Sequence, residues 1–226
     1  MKTFVINLER RPDRRADMIA QLERNGFHNV EFVRAVDGQT LEPTEDLRRM
    51  FANNNFYSRS SAIACALSHL NVWRTFLRDT TFESVIVFED DARLENHCTP
   101  ENIEKIVDVL SDVSDMFDVI LLGYHTKCRY DGPTDPTRPG FAPMIWGKYL
   151  GGTFAYVISR KGAAKMLAAF ESDGFRETID GCWKTWMKHE FIRVFEIGPS
   201  LVRSDYVDGP DSNVDSDIQR DVRSLF

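Results

Sequence analysis

The sequence predicts an α/β fold: a mixed, mainly parallel central sheet flanked by helices. Three observations carry this. Ser84–Phe88 (SVIVF) and Asp118–Leu122 (DVILL) are strand-length segments that run apolar after their first residue, the pattern of strands buried on both faces. Segments with apolar residues at helical spacing alternate with them. The opening unit, Thr3–Leu8, Asp13–Asn25 and Glu31–Val36, reads as strand, helix and strand with short connections, which favours parallel pairing.

Each element has its own signal. Helix 13–25 carries Met18, Ile19 and Leu22 on one face and stops at Gly26. The second strand ends at the turn dipeptide Asp37-Gly38. Residues 39–57 are polar and show no clear period. From Ser60 to Asp79 the pattern is helical, with Ile63, Leu67, Leu70 and Phe76 among alanines. The SVIVF strand stops at Glu89-Asp90-Asp91, and a helix follows over 101–113. Residues 123–148 are rich in Gly, Pro and charge, so they read as a long surface loop near the site. Thr153–Ser159 is a strand, and Ser159 caps a helix from Lys161 to Glu171. A further helix over 178–188, two short strands within 193–202 and an acidic tail over 205–221 complete the chain. At 226 residues the expectation is a single domain, residues 1–226, without internal repeats.

Composition narrows the function. Hydrophobic residues at 42% and charged residues at 28% exclude a disordered chain. A net charge of −7 removes nucleic acid as the main partner. An acidic protein that handles an anionic ligand needs local compensation, from a divalent cation or from arginines. Cys65, Cys98, Cys128 and Cys182 lie far apart, without CxxC or His-spaced pairs, which rules against a zinc finger and favours reduced thiols. No run reaches the roughly 18 apolar residues of a membrane span, and no signal-peptide pattern opens the chain. The expectation is therefore a cytoplasmic protein, with peripheral association as its only route to the cytoplasmic face of a membrane.

Glu89-Asp90-Asp91 is the sharpest local feature. Ligands of open α/β sheets sit beyond the carboxyl ends of the strands. Three adjacent carboxylates there repel one another, and burial raises that cost. A divalent cation with a preference for oxygen ligands, Mn²⁺ or Mg²⁺, removes it. Two other readings compete at this point: acidic residues that merely solvate a loop or cap a helix, and a HAD-type phosphohydrolase with a nucleophilic aspartate. The latter expects its aspartates after the first strand, where this sequence has Asn7. That first strand instead leads into a turn with Arg10, Arg11, Arg14 and Arg15 beside a strand-to-helix junction. Such a turn suits phosphate docking, or simply a solvated helix start.

Further segments extend the pattern. Val5-Ile6-Asn7-Leu8-Glu9-Arg10-Arg11-Pro12-Asp13-Arg14-Arg15 opens the chain. Ala35-Val36-Asp37-Gly38 and Ala64-Cys65-Ala66-Leu67-Ser68-His69 with Trp73 follow. Val87-Phe88-Glu89-Asp90-Asp91 comes next, then Thr153-Phe154-Ala155-Tyr156-Val157-Ile158-Ser159 with Gly162-Ala163, Asp180 and Ser216-Asp217-Ile218. In this order they resemble glycosyltransferase family 25, which includes bacterial lipooligosaccharide galactosyltransferases and collagen hydroxylysine galactosyltransferases. Ser61-Ala62-Ile63-Ala64-Cys65 departs from the usual G-E-x-G-C, where a glutamate and glycines would shape the pocket.

The resemblance implies a GT-A-like nucleotide-diphospho-sugar transferase fold, with a nucleotide-binding half near 1–122 and an acceptor-side half near 123–226. It implies transfer of a hexose, galactose or glucose, from a UDP-sugar to a hydroxyl with inversion, assisted by Mn²⁺ or Mg²⁺. The acceptor class is a glycan, a lipid-linked glycan or a protein, as in glycan or lipopolysaccharide biosynthesis. Glu89 and Asp91 take the place of the metal pair. Asn7, Arg10, Arg14, Asp37, Gly38, Ser68, His69 and Asp90 fall on the donor side. Asp180 is the first candidate for the base, with Asp208, Asp211 and Asp217 as rivals or acceptor-side contacts. His69 and the pair Trp183 and Trp186 have structural readings beside functional ones. A catalytically silent nucleotide-sugar binder of the same fold remains the alternative.

Overall fold

The computed structural model describes residues 1–112, 117–126, 140–204 and 223–226. Strand β1 (Lys2–Asn7) leads through a basic turn into α1 (Pro12–Arg24) and returns as β2 (Val30–Arg34), parallel to β1 as the short connections require. Pro12 opens the helix where a missing amide hydrogen does no harm. The polar stretch without a clear period contains a short helix, α2 (Glu45–Met50), capped by the Thr44 hydroxyl, which accepts from Leu47 N at 3.2 Å. Helix α3 (Ser60–Arg78) then precedes β3 (Ser84–Glu89).

Beyond β3 the chain makes β4 (Ala92–Leu94), α4 (Pro100–Asp112), β5 (Val119–Thr126), β6 (Gly140–Pro143) and β7 (Tyr149–Ser159). Helices α5 (Arg160–Asp173) and α6 (Ile179–Lys188) and strands β8 (Val194–Gly198) and β9 (Val202–Ser204) follow. The central sheet has seven strands in the order β2-β1-β3-β7-β5-β8-β6. Strands β2, β1, β3, β5 and β8 run one way, and β7 and β6 run against them. The mixed, mainly parallel sheet expected from the sequence is thus present. Helices cover both faces: Val85 and Val87 of β3 pack with Trp73, Phe170 and Trp183, while Ile86 and Phe88 pack with Met18, Leu22 and Ile103. That alternation explains why Val85–Phe88 has no polar position. Trp183 is fully buried, which settles it in the core; Trp186 packs partly buried against the same cluster.

The surface loop expected over 123–148 is corrected. Strand β5 continues to Thr126 and β6 forms an edge strand against β8; of that stretch, residues 127–139 lie outside the described residues. Glycine misled the reading. Gly123 sits inside a strand because the neighbouring backbone comes too close for a side chain: a Cβ there would meet the Val202 carbonyl and, at 2.7 Å, the Phe154 ring. Gly123→Ala is expected to cost about 1–3 kcal/mol through overpacking. Thermal melts check it, with Gly147→Ala, whose Cβ meets nothing within 4 Å, as the neutral control. Strand β4 escaped notice because it is short and carries the charged Arg93 at its centre; it pairs with β9 in a separate two-stranded sheet.

Candidate active site

Parallel neighbours deliver their carboxyl ends to the same edge of a sheet. The register pairs Asn7 with Arg34 and Ile6 with Glu89, so the basic turn after β1, the Asp37-Gly38 turn after β2 and the acidic turn after β3 meet. They enclose an open cleft. Arg10, Arg14, Asp37, Gly38, Ser68, His69, Glu89, Asp90 and Asp91 all line it. Asn7 lies just beneath, 5% exposed.

Within the acidic triplet each carboxylate has a different environment. Asp90 turns inward: Oδ1 accepts from Arg14 at 3.0 Å, and Oδ2 accepts from Asn7 Nδ2 at 2.8 Å and Leu8 N at 3.2 Å. Burial raises its pKa, with the Arg14 charge and the Asn7 hydrogen bond working against that rise. Burial disfavours the Arg14 charge, but Asp91 and Asp90 outweigh it and hold the guanidinium more firmly protonated. Asn7, Arg14 and Asp90 thereby tie the ends of β1 and β3 to α1.

Glu89 faces the other way. Its Oε1 accepts from Thr153 Oγ1 at 2.9 Å and lies 3.2 Å from His69 Nε2. Behind it, Trp73 Nε1 donates to the Tyr156 hydroxyl at 2.9 Å, and the same hydroxyl lies 2.9 Å from His69 Nδ1. Because Trp73 can only donate, the Tyr156 oxygen accepts and its O–H is left to donate to Nδ1; Nε2–H then donates to Glu89. Burial pushes Glu89 up, yet the hydrogen bonds from His69 and Thr153 outweigh it, and the carboxyl sits below its ordinary range. Tyr156→Phe strands the Trp73 and His69 nitrogens in the core. Denaturant unfolding should register a loss of about 1–3 kcal/mol.

Asp91 is the exposed member of the triplet, with its side chain 30% accessible. Oδ2 lies 4.0 Å from Arg14, while Oδ1 is buried and has no hydrogen-bond partner among the described residues. Burial, then the like charges of Glu89 and Asp90, push its pKa from 3.8 to about 7, against the pull of Arg14. Between those two values the folded chain keeps a proton that the unfolded chain has lost. Stability of the metal-free chain is therefore expected to fall as pH rises from 3.8 to about 7 and to level off above. Urea midpoints against pH measure it, and Asp91→Asn should flatten the slope.

The turns after β1 and β2 are held from beneath. Asp37 Oδ2 accepts from Arg10 Nε at 2.8 Å, and Oδ1 accepts from Gln39 N at 2.9 Å. Ser68 Oγ accepts from Val36 N at 2.9 Å and donates to Ala64 O at 2.7 Å, pinning the turn to α3. A Cβ on Gly38 would meet Ser61 Cα at 2.9 Å, so this turn presses directly on the helix start. Arg223 reaches back to the carbonyls of Gly38 and Leu41.

Asp180 comes from the start of α6. Oδ1 accepts from Thr178 Oγ1 at 2.5 Å and Gly181 N at 3.0 Å, and Oδ2 has a long 3.4 Å contact to Gly152 N. Gly151 and Gly152 take φ of 140° and 99°, and a Cβ on Gly151 would collide with Oδ2. Burial raises the Cys65 thiol, and the negative charges of Glu89, Asp180 and Asp91 add to that rise. Asp208, Asp211 and Asp217 lie outside the described residues.

Sequence reasoning did not single out Thr153, Tyr156 or Cys65 as site residues. Thr153 and Tyr156 reach Glu89 and His69 because β7 runs antiparallel beside β3, pairing Ala155 with Phe88. No local signal in the sequence announces that reversal. The sequence reading that no cysteine has a histidine at ligand spacing is corrected here: Cys65 and His69 stand at helical i,i+4 spacing on α3, and with Glu89 their ligand atoms lie within 4.8 Å of one another.

The profile of glycosyltransferase family 25 (LPS biosynthesis protein) matches residues 1–183, from the basic turn through Asp180. The chain belongs to glycosyltransferase family 25. R655 of Acanthamoeba polyphaga mimivirus, a glycosyltransferase by name, is 31% identical over 97% of this chain and 67% of its own length. Human procollagen galactosyltransferase 2 is 30% identical over 74% of this chain, which spans 27% of that protein. Other relatives are named as inactive family members, one of them from mouse. Among solved structures, a glycosyltransferase involved in glycosylating the major capsid protein of PBCV-1 has a TM-score of 0.38 at 10% identity, covering 84% of this chain and 74% of that one. Family membership removes the phosphohydrolase reading. Cys65, Cys98 and Cys182 are free thiols, and no helix among the described residues is long and apolar enough to cross a membrane.

Proposed function

We propose that this family 25 chain acts as one unit that transfers a hexose, galactose or glucose, from a UDP-sugar to an acceptor hydroxyl with inversion, using Mn²⁺ or Mg²⁺. The observation that carries the reading is Asp91 Oδ1, a buried carboxylate oxygen with no hydrogen-bond partner among the described residues, in a cleft shared with Arg10 and Asp37. Buried polar atoms are normally paired, so an orphaned one beside a second carboxylate fits a cation. Glu89 and Asp91 would hold it. When bound, the cation neutralises charge on the leaving diphosphate.

The other residues position and accept protons. Arg10 supplies positive charge at the diphosphate side, and Asp37 offers a carboxylate for the nucleoside, with Gly38 and Ser68 fixing its turn. His69 orients Glu89, and Asn7, Arg14 and Asp90 fix the acidic turn. Inverting transfer also needs a base for the acceptor proton. Oδ2 of Asp180 is the freer of its two oxygens and suits that task; Asp208, Asp211 and Asp217 stay as rivals. The acceptor is a glycan, lipid-linked glycan or protein, met in the cytoplasm or by peripheral association at a membrane face, in keeping with the family's link to lipopolysaccharide biosynthesis.

A panel of UDP-sugars, scored by UDP release with acceptor and with or without Mn²⁺, tests the proposal. Release from one UDP-hexose, lost on chelation, is expected. Relatives named as inactive favour one second reading, a silent nucleotide-sugar binder. Calorimetric binding of UDP-sugars with no release across the panel would establish that instead.

A further inference from the structure

We propose that the floor of the cleft holds a second, thiophilic cation site made of Cys65, His69 and Glu89, distinct from the oxygen pair that faces the diphosphate. It shares Glu89 with the function proposed above but does not rest on the chain being an active transferase.

The geometry carries the assignment. Cys65 and His69 stand four residues apart on α3, hence on one helix face, and Glu89 closes β3 opposite them. A sulfur, a ring nitrogen and a carboxylate oxygen from these three lie within 4.8 Å of one another. Ligands at about 2.0–2.3 Å in a tetrahedral arrangement are separated by roughly 3.3–3.8 Å. In the metal-free site His69 Nε2 and Glu89 Oε1 are joined by a 3.2 Å hydrogen bond. The three atoms, within 4.8 Å of one another, need to draw in by no more than about 1 Å to reach that spacing. The site is also reachable, since all three residues line the cleft.

The surroundings add an independent observation. Metal-binding histidines are almost always held through the other ring nitrogen. Nδ1 of His69 is anchored at 2.9 Å on the Tyr156 hydroxyl, which Trp73 in turn holds at 2.9 Å, so Nε2 is the nitrogen presented to the cleft. The donor set separates the two sites by chemistry. Thiolate with imidazole selects Zn²⁺ or Cd²⁺, whereas Mn²⁺ and Mg²⁺ prefer the all-oxygen pair. On binding, the Cys65 thiol gives one proton to solvent and His69 changes tautomer. Nε2 loses its proton and Nδ1 gains one, which it donates to the Tyr156 oxygen, so that this oxygen accepts from both Trp73 and His69 and its own O–H turns away. Because Glu89 serves both sets, a thiophilic ion on the floor withdraws a ligand from the oxygen pair and opposes Mn²⁺.

The probe is Cd²⁺, titrated into the metal-free full chain without any sugar donor and followed by thiolate-to-cadmium ultraviolet absorbance. A band saturating near one equivalent is expected. It should be absent in Cys65→Ser, present in Asp91→Asn, and about 10–100-fold weaker in affinity in Tyr156→Phe. A band that persists in Cys65→Ser, or no band in the wild type, overturns the proposal. Should Cys65→Ser fail to fold, alkylation of Cys65 in the wild type, mapped by peptide mass spectrometry, decides. Zn²⁺ should slow it at least about tenfold and Mn²⁺ should not; an unchanged rate under Zn²⁺ overturns the site. A missing band with intact transfer removes only this site, and absent transfer with an intact band removes only the transferase reading.

Discussion

Asp91→Asn is expected to lower UDP-sugar turnover by roughly 10²–10³-fold with Mn²⁺ present, the scale for losing one electrostatic stabiliser of a developing charge. The substitution keeps the shape and removes the charge. Its structural consequences run the other way. Oδ1 has no hydrogen-bond partner to lose among the described residues, and burial with the Glu89 and Asp90 charges already pushes this carboxyl up to about 7. Above that pH a neutral amide relieves repulsion, so the melting temperature of the metal-free chain should hold or rise while turnover collapses. Steady-state UDP release and a thermal melt on one preparation separate the two. Turnover within tenfold of wild type would detach Asp91 from the chemistry.

Arg14→Ala carries the largest expected loss of stability. Arg14 and Asp90 are both nearly inaccessible, with side-chain exposures of 9% and 8%. Removing the guanidinium leaves a buried carboxylate held, among the described residues, by Asn7 Nδ2 and Leu8 N. Breaking one side of such a pair costs about 3–5 kcal/mol. For a chain of this size that lowers the melting temperature by on the order of 10 °C. The double change Arg14→Ala with Asp90→Ala should cost clearly less than the sum of the singles, since the two residues share one interaction. Additive losses would mean that the pair contributes nothing as a pair.

Much of the cleft was legible because its placement depends on local pattern plus one rule of topology. The βαβ opening and the SVIVF strand imply parallel neighbours, and parallel neighbours bring Asn7, Asp37 and Glu89 to one edge. What the pattern hid depends on direction and close approach. Strand β7 reverses beside β3, and only that reversal takes Thr153 and Tyr156 to Glu89 and His69. Gly123 looked like a loop residue because a strand glycine and a turn glycine are spelled alike; the Val202 backbone that excludes a side chain is far away in sequence. The separate fates of Glu89, Asp90 and Asp91 were equally invisible. A triplet of acids does not say which one an arginine will claim.

The three turns that frame the cleft are anchored to adjacent rungs of one hydrogen-bonded ladder, Asn7 with Arg34 and Ile6 with Glu89. Backbone pairing therefore sets the spacing between the basic turn and the acidic triplet. A substitution in a distant connection that leaves those rungs intact keeps the two charged groups at the same separation.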